Sequence, residues 1–269
     1  TTGKIIDGAK SALACDWWNG RWKEDLNHAA EDGQKAHRFS LEWSRIEPKP
    51  GKWDDASIQF YREMIEGMLH LGLKPILTLH HFTDPIWIYE KGGWENEETI
   101  NFFARYVEKV VPIFQDLVEM WVTINEPTVY VFCGYMSGEF PPGKNDSKAA
   151  FQVMRNMVRA HAQAYHIIHA TQPHALVGFA KNFRAMTPAR PWFLPDRLIY
   201  NFSFNSFNNA FADALAKGIL KFALWKESIP EAKGTQDYIG VNYYTRDQIK
   251  FDLWAAKNVF QKRYFDPKA

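Results

Sequence analysis

Met120-Trp-Val-Thr-Ile-Asn-Glu-Pro127 decides how the chain is read. Met120 to Asn125 is a short apolar strand, and it ends in an amide, a carboxylate and a proline. Proline disfavours helical backbone in the residue before it, so the chain turns at Glu126 and leaves a carboxylate at a strand tip. Working outward, the same pattern returns. Ala36-His-Arg-Phe-Ser-Leu-Glu-Trp43 alternates as a strand and is broken by Pro48, Pro50 and Gly51. Asp54 to Leu71 has helical spacing (Ile58, Tyr61, Ile65, Met68, Leu69), begins at Asp54 and Asp55, and closes at Gly72. Lys74 to Phe82 is a further strand. Glu97 to Leu117 is a helix whose stripe is Ile100, Phe103, Val107, Val110, Val111 and Phe114. Downstream come a helix from about Ser147 to Thr171, a strand over Ala175 to Asn182, a helix over Arg197 to Ala216 and a fifth strand over Tyr238 to Thr245.

Strands alternating with helices at intervals of about 40 residues imply right-handed βαβ units and a parallel sheet. A doubly wound nucleotide fold would carry a Gly-rich phosphate loop after its first strand, and neither GxGxxG nor GxxxxGK[ST] occurs. Polar residues instead mark the C-terminal end of every strand: Glu42, His80 and His81, Asn125 and Glu126, Asn182, and Asn242 with Tyr243 and Tyr244. In a closed α/β barrel those ends converge on the face where the site is built. The expected fold is therefore a (β/α)₈ TIM barrel over residues 1–269, here a partial barrel of about five to six parallel strands, because too few strands are visible to close it. No linker or repeat marks a second domain.

Composition narrows the function. A formal net charge of +1, from 32 Lys plus Arg against 31 Asp plus Glu, argues against nucleic acid or an anionic membrane as partner. Aromatic residues reach 16%, with 11 Trp, which suits either a Trp-rich core or a site that stacks on flat sugar faces. Cys15 and Cys133 lack metal-ligand spacing and form no disulfide framework, so a reducing, cytoplasmic location is expected, with a single bridge as the alternative. No apolar run approaches the roughly 20 residues of a membrane span. Thr1 to Lys10 has no signal-peptide core, lacks an initiator Met and enters as though in mid-loop.

The candidate chemistry sits at the strand tips. Glu126, partly desolvated, would have its charged form disfavoured, which suits a general acid; a brace paired with Arg is the bland alternative. Asn125 could hydrogen-bond a substrate hydroxyl. His80 and His81 point to opposite faces of their strand, so at most one lines the mouth and the other packs in the core. No partner spacing turns them into a metal site, and neither metal nor cofactor is expected. Arg38, on an otherwise core-like strand, calls for a carboxylate partner, either a nucleophile or a structural ion-pair partner.

Together, Lys35-Ala-His-Arg-Phe-Ser-Leu-Glu-Trp-Ser-Arg-Ile-Glu-Pro48, Leu77-Thr-Leu-His-His-Phe82, Gly92-Gly-Trp94, Thr123-Ile-Asn-Glu-Pro127 and Ile239-Gly-Val-Asn-Tyr-Tyr-Thr245 closely resemble family 1 glycoside hydrolases, in order and spacing, from about Gly3 to Arg246. The resemblance implies a TIM barrel and hydrolysis of β-linked oligosaccharides or aryl and alkyl β-glycosides with retention. It implies Glu126 as acid/base, His81 and Asn125 as sugar contacts, Arg38 and Tyr244 beside the nucleophile, and Asn242 near the acid/base. The pattern also departs from the family. The first strand would precede Thr1, and the nucleophile motif Thr-Glu-Asn-Gly is absent. Glu95-Asn96 stands in the wrong place, and Phe82 replaces a frequent Trp. Retaining chemistry needs a second carboxylate about 5–5.5 Å from the first. Glu42 is the nearest strand-end acid, but the resemblance gives it no such role. The chain is thus expected to be inactive alone and prone to self-association through open barrel edges. A non-catalytic carbohydrate-binding or interaction protein built on the same barrel is the rival reading.

Overall fold

The computed structural model describes residues 14–255 and 261–265. Its strands are β1 (Ala36–Ser40), β2 (Lys74–His80), β3 (Met120–Asn125), β4 (Leu176–Pro188), β5 (Ile219–Phe222), β6 (Trp225–Ser228), β7 (Tyr238–Phe251) and β8 (Gln261–Phe265). Six of them form one sheet in the order β1-β2-β3-β4-β7-β8, while β5 and β6 form a separate hairpin. From β1 to β7 every pairing in the main sheet is parallel; β8 runs antiparallel to β7. The result is a curled half-barrel, with five parallel staves and one antiparallel strand. The helices are α1 (Trp22–Glu31), α2 (Trp43–Ile46), α3 (Asp55–His70), α4 (Ile86–Glu90), α5 (Glu98–Phe114), α6 (Pro127–Val131), α7 (Ser147–Thr171), α8 (Leu194–Phe204) and α9 (Ala210–Lys217).

Local chemistry explains the sharpest boundaries. The Asp54 carboxylate accepts from the Ser57 N–H at 2.6 Å and starts α3. Asp146 does the same for α7, accepting from the N–H groups of Lys148 and Ala149. Along α5 the stripe Phe103, Val107, Val110, Val111 and Phe114 is fully buried. It packs in one core with α7 and the outward-facing strand residues Leu77, Leu79, Trp121, Val177 and Phe179. Burying each such side chain contributes about 1.5–3 kcal/mol relative to exposure. On α7, Ala160, Ala162 and Ala164 are small and buried, so the longest helix can lie close to the sheet.

Several boundaries differ from expectation, each through a long-range partner. β1 stops at Ser40, because Trp43 opens α2 and stacks on Tyr106, with ring centroids 5.0 Å apart. The helix expected over Arg197 to Ala216 begins at Leu194 and is interrupted by a π-helical turn, Asn205–Asn209. That turn aims Asn208 at β4, where its amide accepts from the Arg184 N–H and donates to the Arg184 carbonyl, standing in for a neighbouring strand. β4 and β7 run well past Asn182 and Thr245 because they pair with each other to Pro188 and Ile249. The hairpin β5–β6 was not expected. Its tight turn uses Ala223 at φ 51° rather than the Gly or Asn that would announce it. Ile239, Val241 and Tyr243 alternate along β7 and stay exposed, so one face of this stave is uncovered. Cys133 is a free, half-buried thiol, while the side chain of Cys15 falls outside the described residues. Among the described residues no helix is long and apolar enough to cross a membrane.

Candidate active site

β3 delivers Glu126 to the mouth of the half-barrel in an unusual conformation. The residue sits at φ 46°, ψ 56°, the left-handed region that costs a non-glycine residue about 1–2 kcal/mol. Its backbone is held from both sides: the N–H donates to the Ala180 carbonyl of β4 at 2.7 Å, and the carbonyl accepts from Val129 and Tyr130 in the first turn of α6. Proline at the first position of α6 needs no N–H donor and fits its fixed φ. The residue is only 5% exposed. Asn242 Nδ2 donates to Oε1 at 2.6 Å, and Asn182 Nδ2 approaches Oε2 at 3.4 Å. These two amides lie directly opposite each other in the β4–β7 register, so one ladder aims both at the same carboxylate.

A polar chain leads from there to β1. Asn242 Nδ2 also donates to Asn125 Oδ1 at 3.3 Å, and the same oxygen accepts from Arg38 Nη1 at 2.9 Å. Arg38 donates in addition to Thr78 Oγ1 at 3.3 Å. The structural ion pair offered as one alternative is therefore corrected: among the described residues Arg38 is half-buried against neutral acceptors and forms no ion pair. Tyr244 is 70% exposed. Partial burial of its phenol, and then the charge of Glu126 beside it, raise its pKa above the usual tyrosine value.

The two histidines part as the strand geometry requires. His81 is half-buried, with Nδ1 2.7 Å from Ser40 Oγ. Burial, with the Arg38 charge second, lowers its pKa to about 4, so the ring is neutral at pH 7. His80 turns away into a pocket of Trp94, Phe103 and Tyr130 rings and bonds Asp84. Phe82, which follows His81, is also left-handed at φ 68°, so two strained non-glycine residues, Phe82 and Glu126, flank the mouth.

The structure thus brings Glu126, Asn125, Asn242 and Arg38 into one hydrogen-bonded set, with Asn182 joining them and Tyr244 and His81 beside them. Glu42 is engaged elsewhere, accepting from Ser44 and Thr83. Glu95 pairs with Lys144, away from this set. Among the described residues the set contains one carboxylate, and no cluster of His, Cys, Asp and Glu could hold a metal. Two contributors had no sequence signal. His161 on α7 is wholly buried; its Nε2 donates to the Thr235 carbonyl at 2.6 Å and its Nδ1 accepts from Thr123 at 2.6 Å, behind β3. Asp84 gathers donors from three elements.

Fold and site together define the class: a curled, mostly parallel α/β half-barrel with a carboxyl group held among amides at a stave tip, as in a barrel glycosidase. Residues 1–262 match Glycosyl hydrolase family 1, and the chain belongs to that family. It is 32% identical to Beta-glucosidase A of Thermotoga maritima over 272 residues, which covers 96% of this chain and 60% of that protein. The solved family 1 β-glucosidase from Thermotoga maritima superposes with a TM-score of 0.88 at 30% identity, covering 99% of this chain and 62% of that one. The β-glycosidase from Pyrococcus horikoshii gives 0.85 at 35% identity, covering 93% and 57%. The chain therefore spans about three fifths of the length of these relatives. The Thermotoga maritima β-glucosidase has also been solved with castanospermine and with deoxynojirimycin.

Proposed function

We propose that this chain carries the acid/base half of a retaining β-glycosidase acting on β-linked oligosaccharides or aryl and alkyl β-glycosides. Glu126 protonates the leaving oxygen and then activates water against the glycosyl-enzyme intermediate. The observation that carries this reading is the Glu126 carboxyl itself, buried at a stave tip between two amide donors. Asn125 uses its oxygen on Arg38 and Asn242, which leaves its Nδ2 for a sugar hydroxyl. With Nδ1 of His81 on Ser40, the tautomer protonated at Nε2 offers a second donor to the sugar. Arg38 and Tyr244 are the groups that would stabilise a carboxylate nucleophile. No step requires a metal or cofactor. Residues 1–269 act as one partial barrel domain, suited to a reducing compartment.

A second carboxylate about 5 Å from Glu126 is what a retaining site requires, and the described set does not supply one. The 269-residue chain is accordingly expected to show no turnover of an aryl β-glucoside. Calorimetry with deoxynojirimycin, glucose and cellobiose, comparing the chain with Glu126→Gln, tests the site. Binding weakened by the substitution supports the acid/base placement. Turnover abolished by Glu126→Gln would overturn the inactivity, and sugar binding indifferent to Glu126 would favour a non-catalytic carbohydrate-binding barrel.

A further inference from the structure

Asp84 lies in the turn between β2 and α4, outside the set bonded to Glu126. Its side chain is 13% exposed, and its carboxylate receives three donors. His80 Nε2 and Trp94 Nε1 reach Oδ1 at 3.0 Å each, and the Tyr130 hydroxyl reaches Oδ2 at 2.8 Å. The donors come from three separate elements: the tip of β2, the 3-10 turn Gly93–Glu95 and α6. Gly92 and Gly93, at φ 97° and 61°, make the double left-handed turn that brings the Trp94 indole in. The Trp94 carbonyl in turn accepts from buried Asn156 of α7 at 2.9 Å, which anchors the knot in the helical layer.

Two of the donors are the immediate supports of site residues. His80 precedes His81 in the chain. Tyr130 donates its own N–H to the Glu126 carbonyl at 3.1 Å, so the phenol on Asp84 and the strained turn at Glu126 belong to one turn of α6. A left-handed non-glycine residue persists only where its surroundings hold it. Ala180 holds the N–H of Glu126, and α6 holds its carbonyl; the Tyr130 hydroxyl on Asp84 in turn pins α6. His80 shows how much rests on this carboxylate. Its Nδ1 is buried without a hydrogen-bond partner, so among the described residues Asp84 is the only hydrogen-bond partner that sets the ring's orientation.

We propose that Asp84 is a positioning residue that locks the sugar-facing tip of β2 to the turn presenting Glu126, and so fixes where the acid/base carboxyl stands relative to His81. The proposal rests on the reading of Glu126 as the acid/base. The three donors predict how variants behave. In Asp84→Asn the amide oxygen can stay on His80 and Trp94 while the NH₂ faces Tyr130, whose hydroxyl can turn to accept; the opposite flip fails because an indole N–H cannot accept. In Asp84→Ala all three links are lost, and in Tyr130→Phe only the link to α6.

The test is carboxyl ¹³C and amide ¹⁵N NMR of the full chain without ligand. The Glu126 signal is identified by its loss in Glu126→Gln and followed through a pH titration, with thermal melts to confirm folding. The expected result is a displaced, broadened or split Glu126 signal with an altered titration midpoint in Asp84→Ala and Tyr130→Phe, and recovery towards wild type in Asp84→Asn. An unmoved Glu126 signal and midpoint in folded Tyr130→Phe would overturn the proposal, as would equal perturbation by Asn and Ala at position 84. If Asp84→Ala fails to fold, Tyr130→Phe decides alone. Because no sugar is present, this outcome is separate from that of the sugar-binding assay.

Discussion

Gly178→Ala should break the ladder that builds the site. A Cβ at this position would lie 2.3 Å from the Tyr238 carbonyl oxygen and 3.0 Å from two carbons of its ring. Gly178 and Tyr238 face each other directly in the β4–β7 register, and the Tyr238 hydroxyl is tied to the Trp121 carbonyl at 2.9 Å, so neither obstacle can swing aside. The strands would have to separate by roughly 1 Å where their ordinary spacing is about 4.8 Å. Overpacking strain of about 1–3 kcal/mol, with one or two weakened ladder bonds at about 1 kcal/mol each, gives a loss of about 2–5 kcal/mol. Four pairs further along the same ladder stand Asn182 and Asn242, the two donors to Glu126, so the displacement should also disturb the Glu126 carboxyl. Gly240→Ala is the control. It lies on the same ladder, but its Cβ would meet Ala180 Cα at 3.6 Å, an ordinary contact, and should change stability by less than about 1 kcal/mol. Urea unfolding followed by tryptophan fluorescence reads both variants. Equal midpoints for the two alanines would refute the close-approach reasoning.

Three further outcomes are expected. Burial lowers the pKa of His161 to about 4 while an unfolded histidine titrates near 6.5, so the unfolded chain takes up a proton first as pH falls. Stability is therefore present above pH 6.5 and declines towards pH 4 by up to about 1.4 kcal/mol per pH unit from this residue, and urea midpoints of His161→Gln should show a shallower slope over that window. Asn242→Asp would set a second carboxylate against Glu126, where the amide now donates at 2.6 Å. One of the pair would then hold its proton to higher pH, so the loss of stability should be larger at pH 8 than at pH 5. The exposed β7 stripe Ile239, Val241 and Tyr243 should drive self-association, and light scattering should show a mass that rises with concentration and falls in Val241→Lys.

The features legible in the sequence are those with local causes. α7 begins after Asp146 and ends at Thr171, and β3 spans Met120 to Asn125, because a capping carboxylate and a proline mark those ends within a few residues. Where the cause is remote, the reading slipped. The end of β1 is set by Trp43 packing on Tyr106, and the π turn within the α8–α9 segment by Asn208 reaching Arg184. In the site, the polar strand tips were visible as single residues, and parallel staves bring Arg38, Asn125, Glu126 and Asn242 together. The identity of Arg38's acceptor was not visible. A half-buried guanidinium suggests a carboxylate on general grounds, and only the three-dimensional arrangement shows Asn125 and Thr78 in that place. Asp84 was equally silent, since its donors at positions 94 and 130 carry no local mark of a shared acceptor.

The wiring around Arg38 bears on how one mouth could hold the proton donor proposed at Glu126 and a cation at once. An arginine bonded directly to Glu126 would favour the ionised carboxyl and work against the acid role proposed for it. Here Asn125 and Asn242 stand between them: the guanidinium donates to Asn125, Asn242 donates to both Asn125 and Glu126, and the charge is passed on only as amide dipoles. The guanidinium stays half-buried with neutral acceptors, which leaves its charge available to another anion entering the mouth. A carboxylate nucleophile is the anion that retaining chemistry demands there. The two roles thus need not compete for the same cation, because β3 and β7 each contribute an asparagine at the one level of the barrel where a direct ion pair would otherwise form.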